Sequence, residues 1–191
     1  RLWKTVDQFA QMDSVLAVQI QIEAQGNYKV LLKKAKKACS HQSFSAKEIS
    51  SWEKQAKRIN IIRDNWGIPH IYGKTDADCV FGLMYAQCED DFQRVEMNYI
   101  TMLGRTSEVT GEKDIYEDLL VKMVIDSAES VKDYERSPDW MKKLLNAFAD
   151  GINYYLYKNP QVKPALLKQF KPWYPLTYTD GSISAIQTSD L

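Results

Sequence analysis

Residues 59–112 read INIIRDNWGIPHIYGKTDADCVFGLMYAQCEDDFQRVEMNYITMLGRTSEVTGE, a short β-hairpin followed at once by the longest amphipathic helix of the chain. Ile59, Ile61 and Ile62 are β-branched and suit a pleated, half-buried strand. Asp64-Asn65-Trp66-Gly67 supplies turn chemistry, with Gly67 free to take a positive φ. Residues 68–72 return as a second strand, in which Pro69 has no amide to donate and belongs at an edge or at the strand start. Gly73 breaks that strand. Thr75, with Asp78 three residues on, fits a capping box that opens the helix. Val80, Phe81, Met84, Tyr85, Cys88, Phe92, Val95, Tyr99, Met102 and Leu103 then recur at three- and four-residue steps and form one apolar stripe. Glu89, Asp90, Gln93, Arg94 and Glu96 lie mostly off it. Gly104 ends the run, so the expectation is a helix of about 28 residues, roughly 42 Å long, that needs a large body to lie on.

The string Ile62-Arg63-Asp64, then Gly67-Ile68-Pro69-His70-Ile71-Tyr72, resembles the opening signature of the penicillin acylase family. Gly82, Tyr85-Ala86-Gln87, Gly104, Glu108 and Gly111 follow in the family's order, as does Trp173-Tyr174-Pro175-Leu176. The resemblance runs from about residue 58 to the end of the sequence and leaves residues 1–44 as an extension of unclear structure beside an acylase-like domain at 45–191. It implies an α+β, mostly helical chain: the α-chain portion of an αββα N-terminal nucleophile hydrolase, with the hairpin leading into the long helix. Arg63, Asp64, Gly67, Pro69, His70, Gly82, Gly104 and Gly111 are carried over as its structural signature. The chain departs from the family where Cys88-Glu89-Asp90-Asp91 stands in place of the usual aspartate-arginine pair.

Working outward, bulk properties narrow the function. The 191 residues carry 25 basic and 25 acidic side chains, so no net field recommends nucleic acid or an anionic membrane as partner. Eleven tyrosines and five tryptophans point to an aromatic core or a subunit interface. No run of eighteen apolar residues reads as a transmembrane helix. Arg1 in place of a start methionine is read as a fragment or processed product, which stops before the α chain does.

Three cysteines, at 39, 79 and 88, and two histidines, at 41 and 70, lack the close spacing of a zinc site. Cys79 and Cys88 lie about 13 Å apart along one helix, too far for a disulfide, and packing is their expected role. Val18–Ile22 and Tyr28–Leu32 suggest a small hairpin, with Lys33, Lys34, Lys36 and Lys37 as a solvated face. Ser45 and Glu48 form a second capping box, opening a helix to about Lys57 with Ile49, Trp52 and Ala56 on one side. Residues 115–124 read as a short helix. Ser137-Pro138-Asp139 starts another, with serine as cap and proline first, running through Trp140, Leu144, Leu145, Phe148, Ile152, Tyr155 and Leu156 until Asn159-Pro160 ends it. Gly151 within it favours a close helix approach. Residues 162–170 form a short helical or irregular link, and Thr177 is expected to cap a last helix.

No supported nucleophile emerges. His70 reads as a structural histidine in the signature strand, and Glu89-Asp90-Asp91, Asp114, Glu117 and Asp118 read as solvated carboxylates. Ser182, in the one Gly-Ser pair, has too little chain after it to found a catalytic sheet. Ser189 and Asp190 do not match the pocket residues of the penicillin G branch, so no substrate-binding residue is assigned.

The resemblance accounts for the missing machinery. It implies a precursor that cuts itself, leaving an N-terminal serine nucleophile on a β chain whose α-amine, with an ordinary pKa of about 7.7–8.0, serves as base. The present chain is then catalytically silent, with the β chain of the same precursor and a small acyl-amide substrate as partners. No cofactor or metal is assigned; calcium stays open for the full enzyme with no ligand identified here. The family is mostly exported, which implies the periplasm or the cell exterior. A non-enzymatic helical interaction module, or a decayed acylase remnant, is the alternative reading.

Overall fold

The computed structural model describes residues 44–177. The small hairpin expected at 18–32, Cys39, His41, Ser182 and the helix expected after Thr177 lie outside the described residues. In order the elements are α1 (Ala46–Ala56), β1 (Ile59–Arg63), β2 (Pro69–Gly73), α2 (Asp76–Met102), α3 (Ser107–Thr110), a 3-10 turn (Glu112–Asp114), α4 (Ile115–Val124), α5 (Ser127–Arg136), α6 (Asp139–Lys158) and a second 3-10 turn (Tyr174–Thr177). This is the mostly helical chain with a short hairpin before a long helix.

The β1–β2 pair is antiparallel, with Ile61 opposite Ile71 and Ile62 opposite His70. Alternation sends Ile59, Ile61 and Ile71 toward α2 and leaves Ile62, His70 and Tyr72 outward. The two-stranded sheet is too small to stand alone, and α2 supplies its missing layer at Gly82. A Cβ there would come within 2.8 Å of both Ile59 Cγ2 and Ile71 Cγ2.

Helix α2 begins at Thr75, whose hydroxyl accepts the Asp78 amide. The expected reciprocal half of that box is missing. The Asp78 carboxylate is fully buried and faces back to Arg58, which donates to it twice, at 2.7 and 3.0 Å. An ion partner close in space outcompetes one backbone amide.

Nor is α2 one straight rod. Asp91 takes φ −158° and ψ 77°, breaking the 27-residue helix. Its carboxylate accepts the Arg94 amide at 3.0 Å, so Asp91 acts as a fresh N-cap for the second half. The bend falls between Cys88 and Phe92, both buried, and the apolar stripe stays on the core side through it.

Helix α6 packs along α2 and completes the core, joining Met84, Cys88, Phe92, Val95, Tyr99 and Ile100 to Ile152, Tyr155 and Leu156. Each such apolar side chain contributes about 1.5–3 kcal/mol of burial. Much of the aromatic content is spent here. Phe92 stacks on Tyr155, and Tyr99 meets Phe148 and Phe170 edge-on. Gly151 is where the helices touch, since a Cβ would lie 2.4 Å from the Phe81 carbonyl oxygen. The N-terminal box of α1 forms as expected, Ser45 bonding the Glu48 amide and Glu48 the Ser45 amide. Phe44 packs edge-on against the buried Trp52.

One cap differs from expectation. Pro138, not Ser137, is the N-cap of α6 and makes no side-chain bond. Ser137 closes α5 instead, its hydroxyl donating to the Asp133 carbonyl at 2.7 Å. Thr177 donates to the Tyr174 carbonyl within a 3-10 turn. Helix α5 itself went unseen in the sequence because its face is weakly apolar, with Ser130 as its one buried residue. No described helix is long and apolar enough to cross a membrane.

Candidate functional site

Five of the eight signature residues lie at the turn end of the hairpin. The Asp64 carboxylate accepts the Trp66 and Ile68 amides, both at 2.9 Å, and so closes the loop from inside. Gly67 takes φ 81°, a conformation that costs a side-chain-bearing residue about 1–2 kcal/mol. Asp64 is held below the ordinary aspartate range by the Ile68 amide first, then by the Trp66 amide and His70, against its own desolvation. His70 Nε2 lies 3.3 Å from the second Asp64 oxygen and is half exposed.

Arg63 links this turn to α2. One guanidinium nitrogen donates to the Gly67 carbonyl at 2.8 Å, while the other faces Asp90 at 2.8 Å and Glu89 at 3.3 Å. Arg63, Asp64, Gly67, Pro69 and His70 thus share one end of the hairpin, with Gly82 beneath its middle. Gly104 and Gly111 stand apart, beyond the far end of α2, where both take positive φ. At Gly104 a Cβ would meet the Asp118 carbonyl oxygen at 2.8 Å. Gly111 has open space, so its conformation alone favours glycine there.

Three buried carboxylates carry more of the architecture than the sequence suggested. Glu96, placed off the apolar stripe by its charge, is 2 % exposed. Its oxygens accept the amides of Ala165, Leu166 and Leu167 at 2.8–2.9 Å. The signal was spacing, since Phe92, Glu96 and Ile100 are successive four-residue steps on one buried face. Asp118 is not a solvated carboxylate. It is 6 % exposed and accepts from the Thr106 amide, the Ser107 amide and the Ser107 hydroxyl at 2.6–2.7 Å. Burial opposes its ionisation, yet these donors together hold it below the ordinary range. Asp78 is the third.

Among the described residues, Cys88 and His70 are both held in structural environments. Burial pushes the Cys88 thiol up to about 12, which leaves it protonated and inert at neutral pH. His70 bonds a carboxylate, with no hydroxyl or thiol in a relay with it. Among the described residues no group of three or more His, Cys, Asp or Glu could hold a metal ion. An apolar depression of about 110 Å³ lies between the hairpin and α2, lined by Ile59, Ile61, Phe81, Gly82 and Tyr154. An open groove of about 640 Å³ follows the α2 kink past Cys88, Phe92, Tyr155 and Lys163. Enclosed small-molecule sites are about 300–1,000 Å³. The first is smaller than that range and the second is open to solvent.

Residues 58–187 match the penicillin amidase family. Penicillin acylase 2 proenzyme of Pseudomonas sp. (strain SE83) is 28% identical over 120 residues, 61% of this chain and 16% of that protein. Penicillin G acylase of Escherichia coli is 29% identical over 125 residues, 62% of this chain and 14% of that protein. An acyl-homoserine lactone acylase, QuiP of Pseudomonas syringae pv. tomato, is 27% identical over 110 residues, 58% of this chain and 13% of that protein. Among solved structures, a thermostable penicillin G acylase from Alcaligenes faecalis superposes with a TM-score of 0.59 at 20% identity, over 70% of this chain and 75% of that one. The chain therefore spans about a sixth or less of the curated relatives, yet most of the solved chain. With the hairpin, the long helix and the family match all covering the same residues, the chain belongs to the penicillin amidase family.

Proposed function

We propose that this chain is the non-catalytic α-chain part of an acylase that hydrolyses carbon–nitrogen bonds of linear, non-peptide amides, such as penicillins or N-acyl compounds. The nucleophile is an N-terminal serine on a β chain from the same precursor. One observation carries the reading: the described residues build the family's hairpin and long helix, and among them His70 bonds a carboxylate and Cys88 is a buried, protonated thiol. Residues of the hairpin, α2 and α6 shape and brace the body against which the acyl group is held.

In the reaction so divided, the serine hydroxyl attacks the amide carbonyl while the α-amine takes its proton. The carbon–nitrogen bond breaks, the amine leaves carrying that proton, and water then cleaves the acyl ester. Nothing in this sequence of steps needs a titratable group from the present chain. Export to the periplasm or cell exterior belongs to the same proposal.

The test is turnover by the parts and by the whole. The isolated 191-residue chain, incubated with phenylacetyl, glutaryl and long-chain acyl amides, releases no amine, whereas the assembly with its β chain does. Amine release by the isolated chain at the rate of the assembly overturns the proposal.

A further inference from the structure

Residues 161–171 follow α6 with no helix or strand of their own. Pro160 and Pro172 flank the segment, and Pro164 interrupts it. At its ends the Val162 amide donates to the Asn159 carbonyl and the Tyr174 amide to the Lys171 carbonyl. Between them, backbone groups are met by side chains from two helices. The Ala165, Leu166 and Leu167 amides donate to the Glu96 carboxylate of α2 at 2.8–2.9 Å. The Phe170 amide donates to Asn153 Oδ1 of α6 at 2.8 Å, and Asn153 Nδ2 returns a bond to the Phe170 carbonyl at 3.0 Å. Glu96 is 2% exposed and Asn153 3%. Leu167 and Phe170 join the core beside these two pins. Gln169 adds a longer contact, 3.4 Å, to Glu48 of α1.

A segment so built is held by its neighbours rather than by a ladder of its own. Its release breaks two polar pins and withdraws two apolar side chains, and water takes up the freed carboxylate and backbone groups. Unfolding either helix costs more, because the helix loses its own bonds together with its packing. Three prolines restrict the released segment and so favour its return. The frame left behind has its own contact, since α2 and α6 touch at Gly151, where a Cβ would lie 2.4 Å from the Phe81 carbonyl oxygen. Gln161, Val162 and Lys163 line the groove of about 640 Å³ at the α2 kink, together with Cys88, Phe92 and Tyr155. Cys88 is 1% exposed.

We propose that residues 161–171 are a latched strap, pinned by Glu96 and Asn153, that opens and closes as one unit while the hairpin, α2 and α6 stay folded, and that its opening uncovers Cys88 in the groove. The inference concerns this chain alone and does not rest on the acylase reading.

The test uses the protein expressed from its full reading frame, carrying Cys39→Ser and Cys79→Ser. Hydrogen exchange read by mass spectrometry compares peptides of 161–171 with peptides of α6, and N-ethylmaleimide labelling of Cys88 is mapped in parallel. The strap amides and Cys88 are expected to share one opening, at least tenfold more frequent than that of the α6 amides. Low urea leaves this opening nearly unchanged, because urea dependence scales with the surface exposed. Glu96→Gln raises both strap exchange and Cys88 labelling at least tenfold. Phe81→Leu, in the separate cluster with Trp52 and Ala147, speeds α6 exchange but shifts the strap and Cys88 less than twofold. Strap amides that exchange only together with α6, with the same urea dependence, overturn the inference. So does a Cys88 that stays unlabelled while the strap exchanges, or a strap that follows Phe81→Leu as closely as α6 does. Should Glu96→Gln fail to fold, the comparison of strap, Cys88 and α6 in the parent decides alone.

Discussion

Glu96 holds three consecutive backbone amides of a segment with no regular structure of its own. A charged acceptor is worth about 1.5–3 kcal/mol per hydrogen bond, and a buried amide left without one carries its full desolvation penalty. Glu96→Ala is expected to lower stability by on the order of 3 kcal/mol or more. Glu96→Gln should fall between, because its single carbonyl oxygen cannot serve both the Ala165 and the Leu166–Leu167 side. Urea unfolding midpoints check the order. A Gln variant as unstable as Ala would show that charge, not acceptor count, decides. Asp78 makes a pH prediction. Arg58 holds its carboxyl below the ordinary 3.8, so the folded state binds the proton less readily than the unfolded chain. The resulting stabilisation is fully present above pH 3.8 and is lost as the pH falls below it, through the depressed value. Asp78→Asn should therefore narrow the gap in melting temperature between pH 6 and pH 3. An unchanged gap would assign the acid sensitivity to other carboxylates.

At the scale of elements, the hairpin is held to α2 by two different devices. Gly82 lets Ile59 and Ile71 lie on the helix backbone, and Arg63 ties the turn to Glu89 and Asp90. The ion pairs are partly exposed and screened by solvent, so they add little to overall stability. Arg63→Met should leave the melting temperature within a few degrees while the amides of 64–70 exchange several-fold faster with deuterium. Exchange at parental rates would mean the Asp64 loop bonds suffice alone. Most of these elements were legible beforehand, since strand residues, the Ser45 box and two long apolar stripes follow from local chemistry. The α2 kink was not, because the stripe continues through it and only the Asp90-Asp91 pair hints at a second cap. Of the three buried carboxylates only Glu96 carried a signal, its place between Phe92 and Ile100, and the partners of all three were hidden. Their burial depends on Arg58, on Thr106 and Ser107, and on the amides at 165–167, and sequence spacing does not reveal that those groups arrive in the same place.

For the whole molecule, the central point is a separation of shape from reactivity. The buried carboxylates Asp78, Glu96 and Asp118 are each engaged in structural pairs. On the proposed division of labour the reacting atoms come from another polypeptide. Trapping decides this most directly. The active assembly is treated with a sulfonyl fluoride until hydrolysis stops, separated under denaturing conditions, and each polypeptide is digested and mapped by mass spectrometry. The label is expected on the N-terminal serine of the other chain, with residues 1–191 unmodified. A stoichiometric label on any residue of this chain, appearing in step with the loss of activity, would contradict the account.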